Sequence, residues 1–372
     1  MPPKFDDILG QSAAIDDLTR SISSGRLAHA LVFAGPFGVG KSTTARALAA
    51  WWLCENAVAK PIKSASISHN ACGSCQSCRL IDSGTHPDHH VITRQLIRYH
   101  DKTGKSKGID LSIQVLRPEL IEPAGRKSSR GHGKAFIVEE AHLMNAAAQN
   151  GILKTLEEPP GSSEDRGTLI ILLADQPESL LATIRSRCRV ITFAALAPDV
   201  VKAALAQRGI SQTDADEAAD MCQGSLGGAL GLIEDGMLAP ARQLWNHLDR
   251  LTSATADSRS QPSAGDDIGE FLKSAAEAFA QKRIDRDELA SKDAATREGL
   301  AIYLRLASQR VARRLEELSS ANTRQAGHAM ENICRAIDAI ALTERYLDAN
   351  VNLAVALQQL SAAILGALRQ VG

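Results

Sequence analysis

In the first half of the chain, short unbroken apolar runs alternate with segments whose apolar residues recur every three or four positions. Ala30-Leu31-Val32-Phe33-Ala34, Ala135-Phe136-Ile137-Val138 and Thr168-Leu169-Ile170-Ile171-Leu172-Leu173-Ala174 lack polar alternation, the pattern of strands covered on both faces in a parallel sheet. Around them, Ile15, Leu18 and Ile22 share one helical face with Ser12 as the expected N-cap, and Thr43 to Leu53 is Ala-rich and helical. Asn145 is placed to cap a helix bearing Ile152, Leu153 and Leu156, which Pro159-Pro160 stops. Strand and helix in alternation predict an α/β sheet domain.

Beyond residue 194 the strand pattern ends. Pro198 opens a helix that Gly209 closes, and residues 214–222 and 225–235 read as two more short helices. From about Pro240 only long helical spacings remain: Leu300, Tyr303, Leu304 and Ala307, then Ile333, Ile337 and Ile340, then Leu353, Leu357 and Leu360. A Ser/Thr-rich stretch at 252–265 reads as a flexible loop. Cys222 and Cys334 fall among apolar spacings and read as core thiols.

A length of 372 residues accommodates roughly two or three cores, so boundaries near 194 and 239 are expected. Net charge is −1, so any nucleic-acid contact has to come from a local patch. No apolar run reaches the length of a membrane span, and the first residues lack an apolar signal region; a cytoplasmic, non-membrane protein is expected.

The chemistry starts at Gly35-Pro36-Phe37-Gly38-Val39-Gly40-Lys41-Ser42, which fits a phosphate-binding loop between a strand and a helix. Glycines let backbone N–H groups turn toward phosphate, and the N-terminus of the Thr43 helix adds partial positive charge. Lys41 is then expected on the β- and γ-phosphates of ATP or ADP and Ser42 on Mg²⁺. Glu139 and Glu140, at the end of the 135–138 strand, are the candidates for ordering Mg²⁺ and polarising the attacking water. Ile8-Leu9-Gly10-Gln11 either lines an adenine pocket or simply leads into a docking helix.

Cys72, Cys75 and Cys78 stand at two-residue gaps, and Cys54 is the natural fourth ligand of a closed tetrahedral Zn²⁺ site. An iron-sulfur cluster would want a further Cys followed by Pro soon after Cys78, where Arg79-Leu80-Ile81-Asp82 offers none; unligated thiols are the other alternative. His69 and His86 are possible substitute ligands, although single histidines more often lie on the surface. From Arg94 to Lys134 the chain is basic, including Arg98, Lys102, Lys105, Lys107, Arg117, Arg126, Lys127 and Arg130. This segment reads either as a surface facing DNA phosphates or as solvated loops.

Two phrases are more specific. Leu153-Lys154-Thr155-Leu156-Glu157-Glu158-Pro159-Pro160 and Ile184-Arg185-Ser186-Arg187-Cys188 resemble the clamp-loader subunits of bacterial DNA polymerase III, members of the AAA+ ATPases. With the cysteine knuckle, His86-Pro87-Asp88 and Leu180-Leu181-Ala182-Thr183-Ile184, the chain is most similar to the delta-prime type; the likeness runs from Ile8 to about Leu232.

The resemblance implies an AAA+ domain with a zinc insertion (1–194; Cys module 54–78), a three-helix lid (195–239) and an all-α collar (240–372). It further implies a hetero-pentameric ring with delta and tau/gamma subunits, acting on a sliding clamp and primer-template DNA within the polymerase III holoenzyme, a nucleotidyltransferase. Arg187 matches the finger that such a subunit aims at the γ-phosphate bound by its neighbour. Ala174 and Gly227 stand where motor subunits carry a polar sensor and an arginine, and Glu139 replaces the usual Asp, so hydrolysis in this chain's own pocket is not expected. The alternative is an active tau/gamma-like ATPase.

Overall fold

The computed structural model describes residues 1–57, 69–101, 110–157, 166–253, 268–286, 291–319, 324–348 and 351–369. Lys102, Lys105, Lys107, Glu158, Pro159, Pro160 and nearly all of the 252–265 stretch therefore lie outside the described residues. The chain forms two compact units, one of residues 1–208 with 223–228, the other of 209–222 with 229–372. The segment 195–239 expected as a lid thus contributes to both.

In the first unit, β1 (Ala30–Ala34), β2 (His89–Ile92), β3 (Lys134–Val138), β4 (Thr168–Ala174) and β5 (Arg189–Thr192) form an all-parallel sheet in the order β2-β3-β4-β1-β5 among the described residues. The three central strands are the unbroken apolar runs, and their side chains divide strictly by parity. Val32, Phe136, Val138, Ile170 and Leu172 join one core, where Ile152 and Leu156 of the Ala146–Glu157 helix cover them. Leu31, Phe33, Ile137, Ile171 and Leu173 join the other with Leu48 of the Lys41–Leu53 helix and Leu18 of the Ser12–Ser23 helix. Burial on both faces is why polar alternation is missing.

Local signals behave as expected at several ends. Asn145 Oδ1 accepts from the Ala148 N–H at 2.9 Å, and Pro198 occupies the first turn of the Pro198–Ala206 helix. Ser12, by contrast, is the first helical residue, with Gln11 preceding it as the cap. Gln11 is buried, and its amide is fully engaged. Nε2 donates to Val39 O at 3.1 Å and Ala194 O at 2.7 Å, while Oε1 accepts from the Ala194 N–H at 3.2 Å. One amide thereby fastens the phosphate loop to the exit of β5.

The second unit is helical throughout its described residues, with long helices at Ile268–Arg286, Lys292–Ser319, Arg324–Asp348 and Leu353–Arg369. Leu300, Tyr303, Leu304, Ala307, Ile333, Ile340, Leu357 and Leu360 are buried as their spacing predicts; Ile337 and Leu353 are half-buried. Cys222 is a core thiol, pushed up to about 12 by burial. Cys334 is not: it is exposed, one position after buried Ile333 and off the packed stripe. No helix among the described residues is long and apolar enough to cross a membrane.

Phe136 is fully buried in the centre of the sheet, where its ring stacks on His90 with centroids 4.7 Å apart. Phe136→Ala is expected to destabilise the sheet unit by roughly 3–5 kcal/mol, read as a lowered urea midpoint by circular dichroism.

Candidate functional site: the phosphate loop and the cysteine knuckle

Three strands end at one place. The loop leaves β1 at Gly35, β3 delivers Glu139 and Glu140, and β4 delivers Asp175. The loop needs glycines at particular points: Gly35, Gly38 and Gly40 have φ of 149°, 71° and 107°. Gly35 N donates to Ala174 O at 3.2 Å, which ties the loop's first residue to the end of β4. Pro36 and Thr43 are exposed, and Lys41 is buried at 6% exposure.

Lys41 has three ammonium hydrogens and three acceptors: Gly35 O at 2.6 Å, Pro36 O at 2.5 Å and Asp175 Oδ1 at 2.8 Å. Ser42 Oγ donates to Glu139 Oε1 at 3.1 Å, and Arg46 pairs with the same oxygen at 3.1 Å. Ser42 and Glu139 thus stand close enough to share one Mg²⁺ and its waters. Glu140 is turned elsewhere. Its backbone is left-handed at φ 51°, a conformation that costs a non-glycine residue roughly 1–2 kcal/mol, and its Oε2 accepts from Arg94 Nε at 3.0 Å.

The start of the Leu226–Glu234 helix rests directly on this loop. Gly227 N donates to Gly38 O at 2.9 Å, and a Cβ on Gly227 would stand 2.8 Å from Gly38 Cα. A Cβ on Gly38 would meet Ser225 Oγ at 2.4 Å. Position 227 is therefore a backbone-to-backbone contact with no room for any side chain.

Arg187 lies at the other end of the sheet. It follows a helical turn at Ala182–Arg185 and precedes β5, whose Arg189 is in register with Leu31 near the start of β1. At about 3.3 Å per residue, Leu31 to Gly35 alone spans roughly 13 Å. The Arg187 guanidinium, a third exposed, pairs with Glu157, its Nε at 2.5 Å from Oε1, and donates to Thr183 O at 2.9 Å.

The knuckle brings Cys54, Cys72, Cys75 and Cys78 together, with all four Sγ atoms within 4.8 Å of one another. Cys54 Sγ to Cys75 Sγ and Cys72 Sγ to Cys78 Sγ are both 3.9 Å. The edge of a tetrahedron of sulfurs about 2.3 Å from zinc is about 3.8 Å, so the donor set fits the ion. Backbone N–H groups of Cys72, Cys75 and Cys78 point at Cys54, Cys72 and Cys75 sulfurs at 3.3–3.4 Å, as suits thiolates. Burial holds the Cys54 and Cys78 thiols up; at Cys72 burial is outweighed by donors from Ser74 and Cys75, which bring it down to about 5. Neither histidine joins the group: His69 Nε2 meets Ser23 Oγ at 2.8 Å, and His86 is buried, its Nδ1 accepting from the Asp88 N–H.

The described residues of the basic segment differ in their surroundings. Arg130 bonds Glu55, Gln76 and Ser77, clamping the knuckle and holding the Glu55 carboxyl below its usual range. Lys134 is buried on the carbonyls of Pro123, Ala124 and Arg126. Arg117, Arg126 and Lys127 are exposed.

A phosphate loop with a cysteine knuckle inserted after its helix, closed by Arg187 and Cys188 before β5, covers the region that comparison with known proteins picks out. The family described as "DNA polymerase III, delta subunit" matches residues 10–197. The chain belongs to that family. It is 32% identical over 197 residues to the DNA polymerase III subunit delta' of Bacillus subtilis (strain 168), covering 52% of this chain and 50% of that one. Against the subunit delta' of Escherichia coli (strain K12) it is 32% identical over 221 residues, 59% and 58% of the two chains. The subunit tau of Salmonella typhimurium is also 32% identical, over 187 residues, 50% of this chain and 25% of that one. The matches thus span about half the length of the two delta' relatives.

Sequence reasoning missed Asp175 and the part played by Gln11. An Asp one residue after a strand has no local signature, and its partner Lys41 is 134 positions away. For the knuckle, elemental analysis of the native protein is expected to find one zinc that Cys75→Ala removes, and chelation to lower the melting temperature; native protein without zinc would refute the site.

Proposed function

We propose that this chain is a delta-prime-type subunit of a clamp loader, a scaffold that supplies Arg187 in trans to the nucleotide of an adjacent ATPase while its own phosphate loop does not fire. The observation that carries this reading is the position of Arg187 at the end of the sheet opposite the loop. It is too far from its own Lys41 to meet a phosphate there, yet accessible to another molecule. A surface pair such as Arg187 with Glu157 is worth about 0–1 kcal/mol, so exchanging Glu157 for a neighbour's phosphate costs little. The chain's own pocket supports the second half of the reading: Lys41 is engaged, Glu140 faces Arg94, and Gly227 leaves no place for a charged sensor.

In this role the helical unit joins the subunit to delta and tau/gamma partners in a pentamer, which opens the sliding clamp and places it on primer-template DNA during replication in the cytoplasm. The domains are then 1–194 for the AAA+ fold, 195–239 for the lid and 240–372 for the collar. The knuckle holds Zn²⁺ through Cys54, Cys72, Cys75 and Cys78, and the loop holds nucleotide with Mg²⁺ through Lys41, Ser42 and Glu139. A second reading, an active tau/gamma-like ATPase, is favoured by the complete loop and by Glu140 directly after Glu139.

Two measurements separate them. Arg187→Ala in the assembled loader is expected to lower DNA-stimulated ATP hydrolysis by about 10³-fold or more with the pentamer intact by size-exclusion chromatography; an unchanged rate rejects the finger. Turnover by the isolated chain that Lys41→Ala abolishes would instead establish the second reading.

A further inference from the structure

Asp175 plays no part in supplying a finger to a neighbour, yet it makes the one charged contact to Lys41 among the described residues. Its placement is set by structure on both sides. Its N–H donates to His142 Nδ1 at 3.3 Å, and the carbonyl of Ala174 before it accepts from Gly35 at 3.2 Å. The Lys41 ammonium is thus neutralised from within the chain, by a carboxylate fixed at the end of a central strand.

A carboxylate is an acceptor only; it has nothing to donate to a phosphoryl oxygen. A β-phosphate oxygen reaching Lys41 competes with the two neutral carbonyls of Gly35 and Pro36, and the ammonium can keep Asp175 as its third partner. A third phosphate brings further negative charge to an ammonium that Asp175 already balances, and like charges this close in a partly desolvated cleft repel. Nor does any compensating donor reach in from position 227, where Gly227 backbone lies on Gly38.

We infer that the phosphate loop of this chain takes a nucleoside diphosphate in preference to a triphosphate, with Asp175 as the built-in counter-ion that occupies the charge a third phosphate would need. This rests on the reading of the loop as a nucleotide site that does not fire, and it names that site's ligand.

The test is equilibrium titration of the full chain with Mg-ADP and with the magnesium complex of a non-hydrolysable ATP analogue, for native protein, Asp175→Asn and Asp175→Thr. Native protein is expected to bind the diphosphate about tenfold or more tightly than the triphosphate. Both variants should bring the ratio toward parity by a gain in triphosphate affinity. Should Asp175→Asn unfold in a thermal melt, Asp175→Thr alone decides. Equal or tighter triphosphate binding by native protein overturns the inference, as does binding of neither nucleotide. A variant that loses triphosphate affinity also overturns it, since Asp175 would then be holding Mg²⁺. Arg187→Ala leaves this ratio untouched, so failure of the finger in the assembled loader and failure of the diphosphate preference are read separately.

Discussion

A phosphate loop buries a lysine ammonium beside backbone carbonyls whether or not phosphate is present. Leaving that charge unpaired inside a protein costs several kcal/mol, so the ammonium needs an anion beside it. Here the chain supplies its own, Asp175, and the consequences spread outward. With Lys41 satisfied, the loop also bonds the Gly227 backbone and the Gln11 amide. The sheet thus gathers the loop, Glu139 and Asp175 at its strand C-termini, while Arg187 stands at the opposite end, just ahead of β5.

How much of this was legible depended on the range of the interactions involved. The three central strands were readable because burial on both faces writes itself into consecutive residues, and the Lys41 loop because its chemistry is local in sequence. β2 and β5 escaped notice for the converse reason. His89-His90-Val91-Ile92 and Arg189-Val190-Ile191-Thr192 border the sheet, and only Ile92 and Ile191 are buried in them. Their polar residues hide the strand pattern. Cys334 illustrates the limit of spacing arguments in a long helix: one residue of angular offset separates a core thiol from a solvent-facing one.

Charge alone left the basic segment open between a surface facing DNA phosphates and solvated loops. Two of its residues satisfy groups of the chain itself: Arg130 holds Glu55 beside the knuckle, and Lys134 collects the carbonyls left over at the end of a short helix. Arg130 ties the module that carries the four sulfurs to the segment leading into β3. Asp88 adds to it by accepting the N–H groups of Ser129 and Arg130.

The meeting of Gly38 and Gly227 limits what this pocket can become. An arginine could not be seated at 227 as the backbone stands, since the first atom of its side chain would already overlap the loop. The helix start would first have to lift away, giving up the hydrogen bond from Gly227 to Gly38. Seating any side chain at this position is therefore a problem of two coordinated changes, a backbone displacement and a residue replacement, and neither alone would register as a gain.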